Sequence, residues 1–401
     1  MSTTSSSSPA GEFSRLQWAA ILFVVCCGFS SQMVSPLWVS AIISDFGLSE
    51  AAAGRVSSFE FMAVAVVSVV VALNITRFPT RKTVIAGMAL LLIGNFASAF
   101  TPDENALTLA RMVCGVGKGL VEAVVFSLVA GTTNPTRSFA TLNVAYAVFS
   151  TFFYLCVPYT IVWEGAAGAF HTMGFVGVVG ALFLPWFPER PLARSEITGF
   201  SLRAIPAYGI AAFVALIILW SGQNAIMTFI DRIGSHLGMS GTGVGRILSF
   251  AALLTIAGPV LARVIDTRFG FTAPLMIAIV LETLVTLLLG YSLSTTAFTL
   301  LVPVFMLMPL IVTPYLMGVL SLADPAGRLS AASSAAMTAG SSLGAWLGGM
   351  ALTGAGYTAL SWTASAQFLA CALIFLFIAP VATRLGAHAR AAASGAFGDP
   401  E

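Results

Sequence analysis

The sequence predicts an all-α membrane protein: twelve transmembrane helices in two six-helix pseudo-symmetric bundles. Three observations predict it. The 401 residues are 58% hydrophobic and only 8% charged, against about 25% charged in a soluble domain. The apolar residues form twelve long runs, each near the ~20 residues a helix needs to cross a bilayer. The first half also matches the second at one constant offset of 191 positions. The mean hydropathy of +0.95 excludes an ordinary soluble enzyme, a nucleic-acid binder and a disordered chain. A β-barrel would alternate apolar and polar residues. These runs are continuous, which leaves helices as the spanning element.

The elements follow in order. Residues 1–15 are a Ser-rich cytoplasmic tail. The first apolar run is too long for a secretory signal and reads as a retained span. Spans over 17–44, 52–73, 83–101, 106–131, 138–160 and 166–187 make the first bundle, residues 16–187. Residues 188–206 carry Glu189, Arg190, Arg194, Glu196 and Arg203 and read as a cytoplasmic linker. Spans over 207–231, 243–264, 272–293, 297–320, 329–353 and 360–383 make the second bundle, residues 207–385. Residues 386–401 are a cytoplasmic tail. Around Ser294 and Gly356 almost no polar linker separates the spans. Pro303, Pro309 and Pro314 predict kinks or breaks in the tenth span.

Charge sets the orientation. With the N-terminus inside, thirteen of the eighteen basic residues fall in inner loops and tails; Arg55, Arg232 and Arg246 fall outside, and Arg111 and Lys118 lie within a span. The positive-inside rule therefore places both termini in the cytoplasm. A bacterial inner membrane is the expected location.

The repeat is carried by Gln32 and Gln223, Gly47 and Gly238, Ser49 and Ser240, Gly54-Arg55 and Gly245-Arg246, Ser58-Phe59 and Ser249-Phe250, Thr76-Arg77-Phe78 and Thr267-Arg268-Phe269, and Arg137 and Arg328. Parallel six-helix repeats are a transporter design, with the substrate site between the halves near the midplane.

Local motifs add a family resemblance. Ala262 to Gly270, with Asp266 and Arg268, resembles the loop signature of the major facilitator superfamily. The first-half copy around Arg77 lacks the acidic residue and the turn glycine. Arg111-Met-Val-Cys114-Gly115-Val-Gly117 resembles the superfamily's fourth-span pattern, with Cys114 in place of a common polar residue. The resemblance covers about Leu16 to Leu385. It implies a secondary active transporter working by alternating access. Asp266, Arg268 and Arg77 are then expected at an inner gate, by bonding to neighbouring helix ends. The alternative is that these loops only enforce topology.

Ionisable residues inside a membrane are costly and are functional candidates by default. Arg111, Lys118 and Glu122 share one face of the fourth span with Gly115 and Gly119, which are expected to open room beside the charges. Lys118 and Glu122 are four apart and able to pair. Lys118 is expected to attract an anionic substrate group, and Glu122 to couple to protons; the alternative is an ion pair that locks packing. Glu60 has no partner near it in sequence, which suits a proton carrier, or else it bonds to a neighbouring helix. Arg111 serves coupling or snorkels. Glu282 reads first as a packing or interhelix bond. Asp231 and Arg232 end the seventh span as an outer gate or solvated pair.

Gln32 and Gln223 occupy matched positions, with Asn224 beside the second. Asn143, Tyr146, Phe149, Phe153, Trp220 and Trp346 are further candidates to line a substrate site or simply to pack. Aromatics with scattered amides suit a medium-sized aromatic or amphipathic ligand. Gly115-Val-Gly117-Lys118-Gly119 lacks the strand context of a phosphate loop. The five cysteines and three histidines show no metal, disulfide or catalytic spacing, so no enzyme activity, cofactor or metal is expected. The expected function is proton-coupled transport of a small organic anion or aromatic amphiphile by a functional monomer whose partners are a small-molecule substrate, protons and the lipid bilayer. Proton-driven drug or metabolite efflux is the alternative.

Overall fold

A computed structural model describes residues 13–74, 77–190, 205–258, 272–291, 294–324 and 328–395. Every regular element among them is helical. Nine helices are long and apolar enough to cross a membrane, and two shorter ones are also apolar. The first run is not one helix. It is α1 (Arg15–Gly28), α2 (Ser30–Met33) and α3 (Ser35–Asp45), interrupted at Phe29 and Val34. Then come α4 (Glu50–Leu73), α5 (Thr80–Ala99), α6 (Glu104–Ala130), α7 (Pro135–Glu164) and α8 (Ala166–Leu182). The second half holds α9 (Ala207–His236), α10 (Gly241–Leu254), α11 (Thr272–Gly290), α12 (Thr295–Ala323) and α13 (Arg328–Gly395). Helix α13 is broken at Ala355 and Gly356. Both weakly marked splits are therefore present. Pro303, Pro309 and Pro314, expected to kink or break the tenth span, do not break it: all three lie inside one continuous helix, α12.

The turns explain why the repeat keeps its register. Gly47 and Gly238 both have positive φ, 68° and 79°, a conformation that glycine adopts without steric cost. Two residues on, Ser49 and Ser240 each cap a helix, accepting from Ala52 N–H and Gly243 N–H. The same offset relates the N-caps Asp103 of α6 and Ser294 of α12. It also relates Gly165 (φ 64°, ψ −150°) to Gly356 (φ 75°, ψ −167°). That region of backbone space is essentially restricted to glycine, and a side chain there costs about 1–3 kcal/mol. A Cβ on Gly356 would meet nothing within 4 Å, whereas one on Gly165 would lie 2.6 Å from Asp45 Oδ2, the atom that accepts from Ala166 N–H. Gly165→Ala is therefore expected to lower the thermal midpoint more than Gly356→Ala. Equal losses would mean that Asp45 gives way freely.

Successive helices alternate in direction. The turns at 46–49, 100–103, 165, 237–240 and 355–356 gather at one end, the far end, away from the N-terminus. Asp45 Oδ2 to Ala166 N at 2.6 Å, Arg55 to Glu104 at 2.7 Å and Ala51 N to Thr353 Oγ1 at 2.9 Å tie these turns together.

Glycines bring α4, α5 and α6 together. A Cβ on Gly117 would lie 2.5 Å from Gly87 O, and one on Gly119 2.9 Å from Val67 Cβ; one on Gly115 would collide with Glu60 O. The glycines beside the charges do not open room, as the helical face suggested. They close it, because backbones approach where side chains are missing.

Candidate functional site

The buried polar residues form two clusters and a seam. The first cluster joins α2, α4, α5 and α6. Glu60 (α4) is 3% exposed and Arg111 (α6) is fully buried. Arg111 Nε and Nη2 donate to Glu60 Oε2 at 3.0 and 2.9 Å. Nη1 donates to Asn95 Oδ1 at 2.9 Å, and Nη2 also reaches Ser31 Oγ at 2.5 Å. Ser31 Oγ–H donates to Glu60 Oε1 at 2.5 Å. The rings of Trp38 and Phe170 lie 5.1 and 5.3 Å from the guanidinium carbon. Glu60 is thus not the lone carboxylate that its sequence neighbours suggested, and Arg111 does not snorkel. Two guanidinium donors converge on one carboxylate oxygen, and Ser31 and Asn95 fill the remaining valences, as a buried pair requires.

The second cluster lies two helical turns along α6, about 10 Å from Arg111 by helix rise. Lys118 Nζ donates to Gln32 Oε1 and sits 4.6 Å from the Phe29 ring and 5.5 Å from the Phe61 ring. It forms no ion pair with Glu122 among the described residues; the pairing expected from their spacing is replaced by two separate engagements. Glu122 Oε1 accepts from Ser334 Oγ of α13 at 2.6 Å, while its Oε2 is buried without a hydrogen-bond partner. The break between α1 and α2 puts Phe29 and Gln32 on the lysine, and Tyr146 packs edge-on against Phe29 at 5.7 Å.

The seam closes the far half. Ser58 Oγ and Ser342 Oγ are 2.9 Å apart, and Ser342 Oγ donates to Ser58 O at 2.8 Å. Ser249 Oγ donates to Thr151 O at 2.8 Å, and Thr151 Oγ1 to Ser249 O at 3.3 Å. The offset of 191 converts one pair into the other: Ser58 into Ser249, and Thr151 into Ser342. Gly54 approaches Ala345 O and Gly349, while Gly245 approaches Tyr154 O and Pro158; the same offset relates every member. Beyond the seam, Arg232 lies 3.7 Å from Glu50 and its Nη1 reaches Ser44 Oγ at 3.3 Å. At the opposite end, Phe13, Trp18, Asn134, Arg137 and Thr141 line a cavity of about 360 Å³.

The remaining candidates separate. Gln223 is 7% exposed, and neither its Oε1 nor Trp220 Nε1 has a hydrogen-bond partner among the described residues. Asn224 Nδ2 donates to Ser341 O at 2.7 Å, which is packing between α9 and α13. The rings of Phe149 and Phe153 are tilted against one another with centroids 6.5 Å apart, and Asn143 is exposed. Trp346 is 45% exposed and joins neither cluster. Asp231 is buried, with Oδ1 unpartnered among the described residues, so Asp231–Arg232 is not a solvated pair. Arg77 is exposed and forms no ion pair among the described residues. Asp266 and Arg268 lie outside the described residues. Glu282 is fully buried, and both its oxygens lack hydrogen-bond partners among the described residues; of its two expected readings, packing or an interhelix bond, the burial agrees with the first. No group of metal-binding side chains occurs among the described residues.

Ser31, Asn95, Trp38, Phe170 and Ser334 were not legible as functional residues: single hydroxyls and amides in apolar runs carry no periodic signal. Ser58 and Ser249 were visible only as repeat matches, yet that match is what marks them as seam residues.

A model of the Major Facilitator Superfamily matches residues 20–349. YfhI of Bacillus subtilis (strain 168), described as an uncharacterized MFS-type transporter, is 22% identical over 364 residues, covering 84% of this chain and 87% of its own. The purine ribonucleoside efflux pump NepI of Escherichia coli O6:H1 is 25% identical over 382 residues, covering 91% and 95%. With NepI of another strain the matched stretch is 61% of the pump. Among solved structures, the nucleoside transporter NupG (D323A mutant) has a TM-score of 0.74 at 15% identity, covering 90% of this chain and 99% of that one. The D-xylose–proton symporter has a TM-score of 0.70 at 15% identity, covering 89% and 96%. These structural likenesses concern the fold.

Proposed function

The chain belongs to the Major Facilitator Superfamily, a family of membrane transporters, and from that premise we propose that it is a proton-coupled secondary transporter of a small aromatic amphiphile. It has twelve spans in two six-span halves, residues 16–187 and 207–385, joined by the linker 188–206. The exposed basic residues Arg15, Lys82 and Arg137 and the half-buried Arg81 lie away from the far end, which supports cytoplasmic termini in a bacterial inner membrane. The protein acts as a monomer, with the substrate site between its halves.

The observation that carries this reading is the two-fold related seam. Two halves that touch on one side through symmetric contacts of small residues, each held by a pair of hydroxyl hydrogen bonds, can part there and close on the other. Coupling needs a titratable group whose bond crosses between the halves, and Glu122 makes such a bond to Ser334. A hydrogen bond to an ionised carboxylate is roughly twice as strong as a neutral one. Ionised Glu122 therefore holds α6 to α13, and its protonation loosens that crossing. Glu60 and Arg111 support α6 from behind. Lys118 already donates to Gln32 and faces two rings, so the aromatic amphiphile is favoured over the organic anion. Likeness to a purine ribonucleoside efflux pump along 91% of this chain favours export as the direction.

The test uses proteoliposomes loaded with inosine and, separately, with an organic-anion panel under an imposed pH gradient. Glu122→Gln is expected to keep solute exchange without a gradient and to lose gradient-driven accumulation by at least tenfold. Accumulation that survives Glu122→Gln would remove Glu122 from the coupling path. Movement of anions alone, lost with Lys118→Gln, would restore the anion reading.

A further inference from the structure

The offset of 191 gives each residue of the Lys118 cluster a corresponding position in the other half. Gln32 corresponds to Gln223, and Phe29 to Trp220. Phe61 corresponds to Ala252, Glu122 to Thr313 and Lys118 to Pro309. The register is secured on α6 and α12 by the caps Asp103 and Ser294, and on α3 and α9 by Gly47 and Gly238. In the first half, an amide oxygen and an aromatic face hold an ammonium group: Gln32 Oε1 accepts from Lys118 Nζ, 4.6 Å from the Phe29 ring.

The second half keeps the amide and the aromatic face but has no lysine. Pro309 stands at Lys118's place and carries no donor. Gln223 is 7% exposed, and its Oε1 is buried without a hydrogen-bond partner; Thr313 Oγ1 and Trp220 Nε1 are also unpartnered among the described residues. Buried polar atoms left in this state are few in native proteins and costly. Proline also has no N–H, so the Phe305 carbonyl one turn away loses the partner a regular helix would give it. Ala252 in place of Phe61 removes a ring, which leaves more room on this side. Trp is the strongest of the aromatic faces for a cation, and a primary ammonium brings three donors.

We infer that Gln223, Thr313 and Trp220 form the substrate's recognition site, and that they bind the ammonium group of a primary amine as Gln32 and Phe29 bind that of Lys118. This rests on the transporter reading of the same site and narrows its substrate to amines carrying an aromatic ring.

Binding is measured by calorimetry on the full purified chain with three probes of one shape: 2-phenylethylamine, 2-phenylethanol and 3-phenylpropanoate. The amine is expected to bind at least tenfold tighter than the other two. Gln223→Leu is expected to remove that tenfold preference, since a hydrogen bond to a charged group is lost, while leaving the alcohol's affinity within twofold. Pro309→Lys supplies a resident ammonium and is expected to abolish amine binding; Pro309→Met, of similar length and uncharged, keeps it and controls for folding. Binding of none of the probes, an equal or tighter anion, or an amine preference that survives Gln223→Leu overturns the inference. The transporter reading fails separately: amine binding that depends on Gln223 but moves no amine in proteoliposomes sinks transport and leaves the site. Gradient-driven movement of other solutes, indifferent to Gln223→Leu, sinks the site and leaves transport.

Discussion

Replacing Arg111 by Leu is expected to destabilise the protein by about 3–5 kcal/mol, the usual cost of breaking a buried ion pair by removing one partner. Glu60 would keep only the Ser31 hydroxyl among its described hydrogen-bond partners, buried within a four-helix cluster. The measurement is a thermal or denaturant midpoint on purified protein. The double variant Glu60→Leu with Arg111→Leu is expected to recover most of that loss, because well-packed apolar replacements of buried pairs are often neutral or stabilising. A single variant as stable as the parent would mean that the pair contributes nothing to holding α4 against α6. Recovery of stability without recovery of gradient-driven transport would separate coupling from folding.

Gly54→Val and Gly245→Val are expected to keep the far half from closing. The first Cβ atom alone would lie 2.5 Å from Ala345 O and 3.1 Å from Gly349 Cα; the second would lie 2.5 Å from Tyr154 O and 2.7 Å from Pro158 Cγ. These neighbours are backbone atoms or the ring of a proline inside a helix, so the helices themselves must separate. Either change alone is expected to reduce transport at least tenfold. Asn105 and Thr296, related by the repeat, are exposed at the far end. Spin labels there are expected to move apart in each variant relative to the parent. An unchanged label distance, with transport intact, would show that the seam is not a gate. The two sites are far apart in sequence and belong to different helix pairs, so a similar response at both tests the two-fold relation itself.

Much of the fold was legible in the sequence because membrane helices must satisfy two local rules. Each needs a long apolar run, and its backbone must bond to itself. The run ends, the weakly marked splits at Ser294 and Gly356, and the 191-residue register all follow from residues a few positions apart. The interruptions at Phe29 and Val34 did not show: Gly28 stands beside the first but within a continuous apolar run, and Pro36 follows the second only within α3. The three prolines of α12 signalled kinks or breaks, and the helix runs through all three without a break.

The site was legible only as a set of candidates. Glu60, Arg111, Lys118 and Glu122 announced themselves, because an ionisable residue in an apolar run has few reasons to be there. Their pairing did not. Spacing of four joined Lys118 to Glu122, and distance in sequence left Glu60 alone. The tertiary structure instead gives Glu60 to Arg111, 51 positions away, Lys118 to Gln32, and Glu122 to Ser334, 212 positions away. Local periodicity fixes which face of a helix a side chain occupies. Which helix meets that face is decided by where small residues let backbones approach. Gly115, Gly117 and Gly119 set α6 against α4 and α5, and that contact chose the partners. By itself the sequence determined the helices, their register and the short list of charges. The packing of those helices decided which charges neutralise one another and which polar atoms, chiefly Gln223 Oε1 and Glu122 Oε2, are left for something else to bind.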